Sequence, residues 1–176
     1  VEDRNKKIVF GILLASVHIS LFGLILLPSC FGFALFYFGL FDLEKAGMRP
    51  LLGKKGLRLY RAAAAALVLS SGFLDFLSVF HMVSDYEIGS MVPLILEYIV
   101  FYFLIEMYTV SRPRLTGLRK GYTAVMGAAV CGFGISLIFH SGGWQIFCRV
   151  IILVCRLMVL AAAVLPSAAQ KEPEQG

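Results

Sequence analysis

Residues 144–165 read WQIFCRVIILVCRLMVLAAAVL, an unbroken apolar run whose only charges are Arg149 and Arg156. A bilayer hydrocarbon core of about 30 Å takes about 20 mostly apolar residues in a helix, because lipid offers no hydrogen-bond partner to an open backbone. Five further runs meet the same requirement, at 8–26, 27 or 28–43, 62–82, 91–110 and 122–139. The composition agrees with that count. Of 176 residues, 59% are hydrophobic and 15% charged, with a mean hydropathy of +0.84, whereas a soluble domain carries about 25% charged residues. A soluble domain, a disordered chain and a nucleic-acid module are all excluded as classes. The expected fold is an all-α integral membrane protein, a bundle of six transmembrane helices over residues 1–166, with residues 167–176 a polar, disordered cytoplasmic tail.

Orientation follows from the basic residues. The net charge is +5, but all of the 16 Lys and Arg except Arg149 and Arg156 lie outside the apolar runs. They fall in the N-terminal tail (Arg4, Lys6, Lys7), between the second and third runs (Lys45, Arg49, Lys54, Lys55, Arg58, Arg61), between the fourth and fifth (Arg112, Arg114, Arg119, Lys120) and in the C-terminal tail (Lys171). The three alternate connections carry no Lys or Arg, and the longest holds Asp85 and Glu87. Short basic loops stay cytoplasmic. The chain is therefore expected to be a multi-pass plasma-membrane protein with both termini cytoplasmic. Tyr60 and Tyr108 fall near the inner interface and Tyr86 and Trp144 near the outer one, where amphipathic rings settle. The opening run is followed by a second one without an A-x-A site, so it reads as a span and not as a cleaved signal. Pro28 suits the first turn of a helix, which predicts a tight hairpin between the first two helices at Pro28-Ser29. A re-entrant second segment is the alternative, and it would move residues 45–61 outside, against the charge count.

The stretch LLPSCFGFALFYFGL at 26–40 resembles the first hairpin of uncharacterised small multi-pass membrane proteins of Gram-positive bacteria. In those proteins a Leu-Leu-Pro or Ile-Leu-Pro turn leads through an aromatic and glycine-containing run to Gly-Leu. Pro28, Gly32, Gly39 and Leu40 match, while Ser29 stands where Asp is frequent. The resemblance implies a bacterial plasma membrane and no particular activity.

Ionisable residues deep in an apolar helix cost at least about 2.5–3.5 kcal/mol each and face a bundle interior or a wet cavity. At 1.5 Å per residue, Asp75, Glu97 and Arg149 fall in one layer of the outer half, which predicts pairing of Arg149 with Glu97, Asp75 or both. Arg156 follows Arg149 by seven residues on the same helix face, and Glu106 lies at a depth comparable to Arg156. These five are the candidate substrate-binding residues. Polar stripes accompany them, with Ser71, Asp75 and Ser78 on one helix and Tyr98, Tyr102, Glu106 and Thr109 on the next. Small residues at 124, 128, 132 and 136 predict a ridge for close helix packing.

No cofactor and no metal site is expected. His18, His81 and His140 do not share one level, and the four Cys, of which Cys148 and Cys155 each precede an arginine, read as small buried apolar groups. The expected function is binding or transport of a small polar or charged solute through a charged site in the outer half of the bundle. Two other readings stay open: an accessory, sensory or immunity-type membrane protein whose buried charges are structural, and an intramembrane enzyme, for which no nucleophile or metal constellation is visible. Expected partners are the lipid bilayer, a small solute, and a partner membrane subunit or second copy, with no nucleic acid.

Overall fold

The computed structural model describes residues 2–16, 19–21, 24–27, 29–45, 53–79, 89–139 and 142–164. The expectations placed on Pro28, His18, His81, His140, Asp85, Tyr86, Glu87, Arg49 and the 167–176 tail lie outside the described residues. Six helices follow one another: α1 (Glu2–Ser16), α2 (Ser29–Lys45), α3 (Gly53–Val79), α4 (Met91–Ser111), α5 (Thr116–Ile138) and α6 (Gly142–Val164), with a 3-10 turn (Pro113–Leu115) leading into α5. Four stretches, Gly56–Leu77, Met91–Val110, Pro113–Ile138 and Gly142–Val164, are long and apolar enough to cross a membrane.

The first hairpin differs from expectation. α1 stops at Ser16, and the chain continues as two short antiparallel strands, β1 (Ile19–Leu21) and β2 (Leu24–Leu27), paired Ile19 with Leu27, Ser20 with Ile25 and Leu21 with Leu24. Beside the helix end, the Ala15 carbonyl accepts a hydrogen bond from Arg156 Nη1 at 3.1 Å, which supplies a donor to one of the last-turn carbonyls that lack an intrahelical partner. At about 22 and 25 Å, α1 and α2 are each shorter than a hydrocarbon core of about 30 Å.

Helices α1 and α2 pack at backbone contact. A Cβ added to Gly11 would lie 2.5 Å from the Phe36 nitrogen, one on Gly39 would lie 2.7 Å from Ile8 Cγ1, and one on Gly32 would collide with the Ala15 backbone. Small residues on both helices permit this approach, because no side chain holds the backbones apart. Ile8, Ile12 and Ala15 on α1 and Phe33, Phe36, Leu40 and Leu43 on α2 form the buried face. Lys7 bridges Asp42 at 2.7 Å, and Arg61 of α3 bridges Glu44 of α2.

In sequence order the helices form a closed ring, each packed on the next and α6 returning to α1, while α4 also touches α6. Apolar all round, α4 is the most enclosed, with Val100, Phe101, Leu104, Ile105, Met107 and Tyr108 buried. The small-residue ridge of α5 is not continuous. Ser136 is buried and Gly132 half-buried, but Ala124 and Ala128 are exposed. A spacing of four overshoots the helical repeat of 3.6, so the stripe rotates away, and the buried line is instead Tyr122, Met126, Ala129, Phe133 and Ser136. Gly132 does meet α6, where Trp144 Nε1 donates to its carbonyl at 3.2 Å.

Candidate functional site

Glu97 sits in the first third of α4 and is only 2% exposed. Its carboxylate is held in a fork by Arg156 of α6, Nε to Oε1 at 2.6 Å and Nη2 to Oε2 at 2.7 Å. With the third bond to the Ala15 carbonyl, one guanidinium joins α1, α4 and α6. A charge-assisted bidentate pair fixes orientation as well as charge, and it is the arrangement that makes a buried carboxylate tolerable.

The partner is Arg156, whereas depth counting points to Arg149. Counting from helix ends treats α4 and α6 as starting level and gives every side chain zero length. Helical side chains lean back toward their own N-terminus, and arginine is the longest of them, so Arg156 reaches the Glu97 layer from deeper along α6. The two arginines share a face seven residues apart, and the layer is right while the assignment within it is shifted by two turns. Arg149, exposed one step along α6, places its guanidinium 5.7 Å from the centre of the Phe133 ring.

Asp75, near the end of α3 and 5% exposed, receives the start of α2. Its Oδ2 accepts from Ser29 Oγ at 3.0 Å and from the Cys30 backbone N–H at 3.2 Å. A carboxylate at a helix N-terminus meets unsatisfied N–H groups and the positive end of the dipole. This also accounts for the residue at 29. An aspartate there would oppose Asp75 with a like charge, whereas serine donates to it.

These groups surround one cavity of about 370 Å³. Asp75, Glu97, Arg149 and Arg156 all line it, joined by Ser16, Ser29, Ser71 and Ser90 and by the apolar Phe33, Pro93, Leu94 and Phe133. Ser71 donates to the Val68 carbonyl at 3.0 Å and Ser16 to the Ile12 carbonyl at 2.7 Å. Their hydrogens are therefore spent within their own helices, which leaves hydroxyl lone pairs as acceptors toward the cavity. Four of the five sequence-predicted residues are brought together. Glu106 is not: it is 5% exposed and lies away from the cavity, and its Oε2 has no hydrogen-bond partner. Among the described residues it forms no ion pair; Arg112, six residues on, donates to the Ala162 carbonyl at 3.0 Å and lies over the Tyr108 ring.

The two polar stripes part in the same way. Ser71 and Asp75 face the cavity, while Tyr98 bonds to the Thr123 carbonyl at 3.5 Å and Thr109 to the Glu106 carbonyl at 2.7 Å. Sequence reasoning missed Ser16, Ser29 and Ser90 as lining residues. Their signal was position alone, since each sits at or beside a helix end in the layer of the charges. Among the described residues no group of three His, Cys, Asp or Glu is placed to hold a metal ion. The four cysteines are free thiols, with Cys148 and Cys155 buried, Cys30 half-buried and Cys131 exposed.

No family model, curated protein or solved structure matches this chain.

Proposed function

We propose that the chain is a six-pass plasma-membrane protein, both termini cytoplasmic, that binds a small polar or charged solute in the cavity lined by all six helices, either to transport it or to capture it for a partner membrane subunit. The observation that carries this is the cavity itself: two carboxylates, two guanidiniums and four serines converge on about 370 Å³ within an otherwise apolar bundle. Small-molecule sites have this character, a mostly apolar recess of about 300–1,000 Å³ with a few converging polar groups. Intramembrane ionisable residues point to function when they face such a recess.

Orientation is supported by the placement of charge. Lys6, Lys7, Lys45, Arg58, Arg61, Arg112, Arg114, Arg119 and Lys120 belong to the helix ends opposite the half that holds the cavity. With basic ends cytoplasmic, the cavity belongs to the outer half.

A second reading is favoured by one observation. Arg156 is engaged by Glu97 and Ala15 through three hydrogen bonds, which is how a purely structural pair in an accessory protein is built. Two experiments decide. A broad panel of polar solutes is tested for stabilisation of the purified protein in non-ionic detergent, and Ser71→Trp, which fills the cavity, is expected to abolish any stabilisation found. A panel with no effect, or effects that persist in Ser71→Trp, removes the solute function. For topology, a cysteine at Glu87 is expected to react with an impermeant reagent from outside and one at Lys54 is not, in a Cys131→Ser background. The reverse pattern overturns the orientation.

A further inference from the structure

All six helices line the cavity, yet they do not wall it equally. α1 packs beside α6 and stops at Ser16, where Arg156 bonds to the Ala15 carbonyl. The side of α6 that meets α1 continues toward its own N-terminus as Leu153 and then Arg149, at helical spacing. Both residues line the cavity and both are exposed, Leu153 to 44%. Past α1 the chain forms the strand pair, and β2 lies against α3. Among the described residues no other helix takes the place of α1 beside this part of α6. The cavity therefore opens sideways, in the seam between α1 and α6.

The opening meets an apolar track. Ile146, Val150, Leu153 and Leu157 are all exposed, and their spacing of four, three and four puts them in one stripe along α6. Leu153 belongs to both the stripe and the cavity lining. Further in, the surface turns polar, with the Glu97–Arg156 fork and the hydroxyls of Ser16 and Ser71. A polar recess that leads onto a lipid-facing hydrocarbon stripe matches a molecule built the same way.

Building on the cavity as a solute site, we infer that the polar solute it takes is the head of a membrane amphiphile, whose hydrocarbon chain leaves through the side opening and lies along Ile146, Val150, Leu153 and Leu157. The Ser16 and Ser71 oxygens are left as acceptors by their own helix bonds, so the head that suits them donates hydrogen bonds, as hydroxyl and amide heads do. The chain stays in hydrocarbon throughout, and only the head exchanges one polar environment for another.

The test uses the full chain in phosphatidylcholine nanodiscs. Photoreactive probes carry a diazirine on the chain carbons next to the head: a monoacylglycerol, an N-acylethanolamine, and a fatty acid methyl ester, whose head accepts hydrogen bonds but donates none. At least one of the two donating heads is expected to label Ser71, Asp75, Ile152 or Arg156 more strongly than Leu69 and Phe73, which are exposed on α3 and report ordinary lipid contact. The methyl ester is expected to label both sets alike. Unlabelled monoacylglycerol or N-acylethanolamine is expected to compete, and free glycerol or ethanolamine to compete only at far higher concentration. Ser71→Trp, which fills the cavity, and Leu153→Trp, which narrows its mouth, are each expected to remove most of the cavity labelling. Leu153→Trp carries the test alone if Ser71→Trp fails to fold, since Leu153 is exposed. The inference is overturned if no probe labels the cavity above the α3 background, if the methyl ester labels it as strongly, if free heads compete as well as chain-bearing ones, or if labelling persists in Leu153→Trp. Failure of the underlying function is separable. If a chainless solute stabilises the protein and Ser71→Trp blocks it while no probe labels the cavity, the cavity remains a solute site and only the amphiphile is wrong.

Discussion

Glu97 and Glu106 are two carboxylates on one helix, both almost wholly buried, and their surroundings have little in common. Glu97 is held by both oxygens, lines a cavity and closes a three-helix junction through Arg156. Glu106 faces the other side of α4, outside the cavity, with Oε2 lacking a partner. Nine residues turn a helix by about 180°, so the two look out on different neighbours. Burial of a charged residue type is therefore a poor guide to role, and what distinguishes the two is the geometry of the partner and the presence of a space to work in.

The contrast makes opposite predictions for the two positions. Arg156→Ala strands the Glu97 carboxylate without compensation and frees the Ala15 carbonyl, and it is expected to cost about 3–5 kcal/mol, read as a large drop in the unfolding midpoint in detergent. Replacing both partners, Arg156→Met with Glu97→Leu, is expected to recover most of that loss, because no uncompensated charge remains. A double variant as unstable as Arg156→Ala alone would mean that the bond to Ala15, and not the ion pair, holds the junction. At the other carboxylate, Glu106→Leu is expected to stabilise by about 1–3 kcal/mol, the penalty of an unsatisfied buried polar group. Loss of stability there would reveal a partner for Glu106 and erase the contrast.

Much of this was legible in the chain. The runs at 91–110 and 144–165 became α4 and α6 within a few residues, because a long apolar run without a breaker has no other way to satisfy its backbone. The layer holding Asp75, Glu97 and Arg149 was legible from helical rise alone, and the structure gathers all three on one cavity. The partner of Glu97 was not, since helix stagger and the reach of an arginine are tertiary quantities comparable to the spacing of Arg149 and Arg156. Nor was the end of α1. The donor that meets the carbonyl at that end comes from residue 156, which lies 141 positions away and leaves no trace in the local sequence. Ser29 was visible only as a departure from a pattern, and its meaning came from Asp75, supplied by a different helix.

The junction at Arg156 also bears on how the protein is made. Of the six helices, synthesis delivers α1 first and α6 last, and the bonds from Arg156 to Ala15 and Glu97 exist only once α6 has joined α1 and α4. Until then α1 has an open carbonyl at its end and α4 a carboxylate without its Arg156 partner, so a chain that has gained α4 but not α6 carries an energetically costly mark. A chain cut before residue 142 is expected to keep that mark and to be degraded faster than one that includes α6, read as its half-life after synthesis is stopped.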